Sequence, residues 1–140
     1  DSVLQFENSV LTQNIGELPT NLGKAVIITH HALSSDYTFL RRYLETHPEI
    51  VKRWSQTLDI ECEDEKNLSR LMLNYAMYDN KEGIVLFSST KAENIQHNVR
   101  AVTESPFSAE QLQIFAELVR RDVIESSLRV RDAAAYISLM

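Results

Sequence analysis

The chain has 140 residues, 44% of them hydrophobic, with a formal net charge of −6. That is enough apolar material for one domain with a core, and it excludes the disordered class. The acidic balance argues against broad nonspecific binding to nucleic acid or an anionic membrane, and the single cysteine, Cys62, excludes an intrachain disulfide and a cysteine-rich zinc site. Cys62 lies among Glu61, Glu63, Asp64 and Glu65, acids that would raise a thiol pKa rather than activate it. No apolar run approaches a membrane span and no signal peptide is read, so a soluble cytoplasmic protein is the expectation. The chain begins at Asp1, and a core strand follows almost at once, which leads us to expect a fragment of a longer protein.

Val3–Phe6 reads as a short strand that ends in the polar set Glu7, Asn8 and Ser9. Val10–Leu22 is mixed and holds at most a short helix, stopping near Gly23. Ala25–Thr29 is the clearest strand. It is β-branched and apolar on both faces, which predicts burial on both sides in a parallel sheet. It ends in His30-His31. Ser35 or Asp36 is expected to cap a helix through about Glu45. Pro48 opens another helix, with Ile50, Val51, Trp54 and Leu58 on one side. The acidic run from Glu61 to Glu65 is read as a solvated loop and helix start. Leu68, Leu71, Met72, Tyr75 and Ala76 form the apolar stripe of a third helix, ending near Asn80.

Gly83–Asn98 organises the rest. Ile84–Phe87 reads as a buried strand, and Ser88, Ser89 and Thr90 form a hydroxyl-rich turn. Thr90 with Glu93 fits a capping box, so a helix is expected from about Lys91, with Ala92, Ile95, Val99 and Val102 on one face. A helix start offers unpaired N–H groups to a phosphate. A capped helix that binds nothing fits the same pattern. Ser108 with Gln111 makes a second capping box before Leu112, Phe115, Ala116, Val119 and Val123. Residues 128–140 form a tail at helical spacing.

Strands separated by helices imply an α/β chain with a small parallel sheet. Ligands in such folds bind at the carboxyl ends of the strands. All three predicted strand ends are polar: Glu7-Asn8-Ser9, His30-His31 and Ser88-Ser89-Thr90. Adjacent strand residues point to opposite faces, so His30 and His31 make poor co-ligands for one metal. His30 is left as either a cofactor-site residue or a strand-end histidine with local partners. Three strands are few for this length and would leave two edges. A larger sheet or barrel, or an oligomer, is expected to complete them.

Val3–Asn8, Val26–Leu33, Ile84–Asn98 and the Phe107-Ser108-Ala109-Glu110-Gln111-Leu112 segment together resemble the aldo-keto reductases. The resemblance covers residues 1–127 and implies the C-terminal portion of a TIM (β/α)8 barrel, from its sixth to its eighth strand unit, followed by the tail. It implies that Gln5 holds a nicotinamide carboxamide. His30 stands where the family has a tyrosine stacked on the nicotinamide ring. Ser34 and Ser35 lie in the loop that approaches the pyrophosphate, without the family's glycine. Ser88 and Ser89 match the turn that binds a 2′-phosphate, with Lys91 the nearby positive charge. Asn94 replaces an arginine that often clamps that phosphate, and Asn98 matches the asparagine that meets the adenine. The cofactor is left as NADP or NAD.

The family's catalytic Asp, Tyr, Lys and His belong to earlier strands and have no counterpart here. The resemblance therefore implies the cofactor-binding part of an NAD(P)H-dependent oxidoreductase of aldehydes or ketones, inactive by itself. The alternative is a non-catalytic interaction module, or a half-barrel completed by its missing half or by a second copy.

Overall fold

The structure, a computed structural model, describes residues 2–19, 24–30, 33–86 and 106–128. Its elements are β1 (Ser2–Glu7), a 3-10 turn (Asn14–Glu17), β2 (Ala25–His30), α1 (Ser34–Thr46), α2 (Pro48–Leu58), α3 (Glu65–Asp79), β3 (Ile84–Val85) and α4 (Ala109–Val119), which runs into a π-helical turn at Arg120–Glu125. The three strands form one parallel sheet in the order β1-β2-β3. The expected α/β class and parallel sheet are therefore present. The helix expected from Lys91, Phe87 at the end of the third strand, and residues 129–140 of the tail lie outside the described residues.

Local signals account for most boundaries. Pro48 sits in the first turn of α2, where its missing N–H costs nothing, and Asp59 closes that helix in the left-handed region at φ 57°. Asp64 caps α3 by accepting a hydrogen bond from the Lys66 backbone N–H at 2.9 Å. The capping box on α4 is complete. Gln111 N–H donates to Ser108 Oγ at 3.1 Å, and Ser108 N–H donates to Gln111 Oε1 at 2.9 Å. Gln111 Nε2 also donates to Leu58 O at 3.0 Å, so one side chain finishes α2 and starts α4.

The start of α1 differs from expectation. The helix opens at Ser34 after Leu33, with no side-chain cap. Ser35 and Asp36 lie inside the first turn instead of before it. The Asp36 carboxylate is engaged by Ser9 Oγ at 2.5 Å rather than by its own helix.

The main core lies among the helices. Leu40 and Leu44 of α1, Trp54 and Leu58 of α2, Leu68, Leu71 and Met72 of α3, and Leu112, Phe115 and Val119 of α4 are buried together. Trp54 meets Phe115 edge to face, with centroids 6.2 Å apart. The indole N–H of Trp54 donates to Asp122 Oδ2 at 2.7 Å, and Arg53 reaches the same oxygen at 2.7 Å. Burial alone would raise the Asp122 pKa. The bonds from Trp54, Arg121 and Arg53 outweigh it and hold the carboxyl below its ordinary range. The π-helical turn is thereby fastened to α2.

The sheet packs through a second, smaller cluster of Leu73 and Ala76 against Leu33 and Val85. Register puts Val3, Gln5 and Glu7 on one face with Val26, Ile28, His30 and Ile84. That face remains open, with Val3 66%, Val26 48% and Ile84 49% exposed. Burial on both faces of β2, and a buried strand at Ile84, were expected and are not what the structure has. Among the described residues, the helices cover the face of Thr29 and Val85. An apolar run reports what a strand is able to bury, not what is there to cover it.

β3 begins level with the far half of β2, pairing Ile28 with Ile84 and Thr29 with Val85. Gly83 leads into it. A Cβ at Gly83 would overlap Asn80 Oδ1 and the Ile27 carbonyl oxygen, so the approach admits only glycine. Gly83→Ala is expected to lower stability by about 2 kcal/mol through forced displacement of β3. Urea unfolding with an unchanged m-value would register this, and wild-type stability in that variant would contradict the packing described.

Candidate functional site

Parallel pairing brings the strand ends to one side of the sheet. β1 ends at Glu7, opposite His30 in register, and Asn8 N–H extends the ladder by donating to His30 O at 3.0 Å. On the far side of β2, Leu86 N–H donates to Thr29 O at 2.7 Å. The carboxyl ends of β1, β2 and β3 therefore form one edge, as anticipated for a ligand site in this class of fold.

Gln5 and His30 share the open face. Gln5 is exposed there, one pleat before Glu7. Its amide offers both a donor and an acceptor, the chemistry that a carboxamide needs. His30 is half-buried at the end of β2 and takes part in local interactions. Ser34 opens α1, and Ser35 is exposed in its first turn. α1 has no side-chain cap, and since the Asp36 N–H already donates to Leu33 O at 3.1 Å, it is the N–H groups before Asp36 that would suit an anionic oxygen. Gln5, His30, Ser34 and Ser35 thus lie along the edge formed by the ends of β1 and β2. Ser88, Ser89, Lys91, Asn94 and Asn98 lie outside the described residues.

Behind this edge is a polar framework, built on the Asn8-Ser9 strand end noted in the sequence, whose partners the sequence pattern did not indicate. Asn8 and Ser9 are each 1% exposed. Asn8 Nδ2 donates to Asp79 Oδ2 at 2.9 Å, and Asn8 Oδ1 accepts from Ile15 N–H at 3.0 Å. Asp79 also holds Tyr75. Burial first, then the Asp79 charge and hydrogen bond, push the Tyr75 pKa up, so its phenol stays protonated as a donor. Ser9 Oγ donates to Asp36 and accepts from the N–H groups of Leu11 and Thr12, both at 3.1 Å. The available signal was an Asn-Ser pair directly after an apolar strand, a common Asx- or Ser-turn pattern. That pattern says nothing about which helices supply the partners.

Other chemistry-bearing groups are quiet. Among the described residues no cluster of three or more His, Cys, Asp or Glu could hold a metal ion. No described helix is long and apolar enough to cross a membrane. Cys62 is 2% exposed, and its thiol is pushed up to about 11, first by burial, with the Ser55 hydroxyl opposing and Glu63 adding. The acidic neighbours noted in the sequence are thus secondary to desolvation.

Native Cys62 should react slowly with a thiol reagent at neutral pH and rapidly after unfolding. The sign with pH follows. The unfolded thiol ionises near 9.0 and the folded one near 11, so the unfolded state releases its proton first. Stability is then unaffected by this group below pH 9 and falls as pH rises from about 9 to about 11, by on the order of 2 kcal/mol. A Cys62→Ala variant should lack that alkaline component, and an identical alkaline decline in both proteins would contradict it.

Comparison with known proteins identified no matching family model, no matching curated protein and no matching solved structure.

Proposed function

We propose that this chain is the cofactor-holding, C-terminal part of an aldo-keto reductase-like oxidoreductase that reduces aldehydes or ketones with NADH or NADPH when complete. In the same reading, β1, β2 and β3 are successive strands of a TIM (β/α)8 barrel. The observation that carries the proposal is the register. Parallel strands adjacent in chain order set Gln5 and His30 on one open face, beside the uncapped start of α1. Gln5 would hold the nicotinamide carboxamide, the His30 ring would lie against the nicotinamide, and Ser34 and Ser35 would meet the pyrophosphate. The hydroxyl-rich turn at Ser88 and Ser89, with Lys91, Asn94 and Asn98, would take the adenine side. The dinucleotide supplies the hydride when bound, and the general acid comes from the part of the barrel that these residues do not include.

Calorimetric titration with NADPH and with NADH tests this. Saturable binding below about 1 mM is expected, weakened about tenfold by Gln5→Ala through loss of the amide pairing. No heat of binding with either cofactor removes the reading for this chain. Aldehyde turnover by the chain alone, abolished by a substitution within it, would overturn the division of labour.

A second reading is favoured by the exposed Val3, Val26, Ile84 and Leu86. A parallel sheet with an apolar open face is rare unless something covers it. A half-barrel that associates with its missing half or with a second copy would cover it. Light scattering across a concentration series is expected to show mass rising above that of one chain, and Val26→Asp should suppress the rise. A strict monomer at the highest concentration sinks this reading.

A further inference from the structure

Two consecutive residues hold both ends of the connection between β2 and α1. Asn8 N–H donates to His30 O at 3.0 Å, fixing the point where that connection leaves the sheet. Ser9 Oγ donates to Asp36 Oδ2 at 2.5 Å, fixing the point where it has become helix. Both anchors are buried and bonded on further sides. Asn8 and Ser9 are each 1% exposed. Ser9 has its own turn, with Ser9 N–H to Thr12 O at 3.1 Å and Thr12 N–H to Ser9 O at 3.2 Å. Asn8 is held from behind by Asp79 at the end of α3. The first turn of α1 has no side-chain cap of its own. Its inner bonds are Asp36 N–H to Leu33 O at 3.1 Å and a longer one from Tyr37 N–H to the same oxygen at 3.4 Å. The grip from Ser9 is therefore a side-chain constraint on that turn from outside its own helix, a short hydroxyl-to-carboxylate bond.

We propose that Ser9 and Asp36 form a clamp between the loop after β1 and the start of α1, and that they act as positioning residues for the candidate site. Gln5 lies on the strand that leads into the clamp. His30 and Ser34-Ser35 bracket the connection that it holds. The clamp keeps these two parts of the site in one fixed relation before any ligand arrives, so the ordering cost is met during folding and not on binding. Its role in ligand binding rests on the dinucleotide reading above. Its role in ordering the turn does not.

Two measurements separate these. Hydrogen exchange of the ligand-free chain reads the turn directly. Ser9→Ala should raise exchange at the amides of Asp36 and Tyr37 about tenfold and leave α2 unchanged. Asp36→Asn should do the same more weakly, and Ser9→Thr, which keeps the hydroxyl, should restore protection. Leu58→Val is the control for general loss of stability, since it loosens the far end of α2 without touching the clamp. Uniform acceleration in Ser9→Ala like that of Leu58→Val, or no acceleration, overturns the clamp. Titration with NADPH and NADH reads the second role. Where wild type binds, the clamp variants should bind about tenfold more weakly and Leu58→Val should not. Equal affinity overturns the positioning role. Where wild type binds neither cofactor, the dinucleotide reading and the positioning role attached to it fall together, and the ordering of the turn is decided by exchange alone.

Discussion

The seating of the third strand depends on one side-chain amide. Asn80, 6% exposed, points Nδ2 at Ile27 O (3.1 Å), Thr29 Oγ1 (3.3 Å) and Ile84 O (3.2 Å). Two hydrogens serve three acceptors, so the bonds are shared. The Ile27 carbonyl lies below the level at which β3 begins, and the Asn80 amide supplies the donor that a longer strand would have provided from its backbone. A strand of two residues could not hold its place by its own ladder. The amide helps to hold it, and the room that the amide and the Ile27 carbonyl occupy is why the residue before the strand is glycine.

Two kinds of material hold the molecule together. The helices cohere through apolar contact around Trp54, Phe115 and Leu71, all fully buried. The sheet is joined to them by a small apolar cluster and by polar pins: Asn8 to Asp79, Ser9 to Asp36, and Asn80 to β2 and β3. Polar pins are directional, and each member is costly to bury unless paired. They fix the angle at which the strand ends are presented. Apolar packing alone, tolerant of small shifts, would not.

The helices were legible in the sequence because their causes are local. Pro48, the Ser108–Gln111 box and the stripe from Leu68 to Ala76 each act within a few residues, and each produced the element it predicted. The three strands and their parallel pairing were also legible, from β-branched runs separated by helical segments. The open face was not, since Val26 carries no mark of whether a helix will cover it. Nor was the start of α1, where Asp36 has a capping residue's chemistry but is taken by Ser9, 27 positions away. Asn8 and Ser9 were read as a polar strand end and Asn80 as a helix end, but what they bind was not legible, for the same reason. Each looks like a turn residue, and each has its decisive partners on other elements. Of the candidate site, Gln5, His30, Ser34 and Ser35 were named from the sequence and the fold sets them near the ends of β1 and β2, while the partners of the framework behind them came only from the fold.

The late start of β3 has a kinetic side. β1 and β2 pair residues 23 positions apart, while Ile28 and Ile84 meet across 56. Between them lie α1, α2 and α3, whose contacts are far more local. Loop-closure entropy therefore places the contacts among α1, α2 and α3 before the docking of the third strand, and the docking of α4, whose Phe115 meets Trp54 across 61 positions, is as non-local as that of β3. Until β3 arrives, the far edge of β2 has no backbone partner, and its Val26 face is already bare. The nascent chain thus passes through a stage in which an unpaired strand edge and an apolar surface are exposed together, the combination that invites pairing with another molecule. A molecule able to cover that face would have most effect if present before the third strand docks.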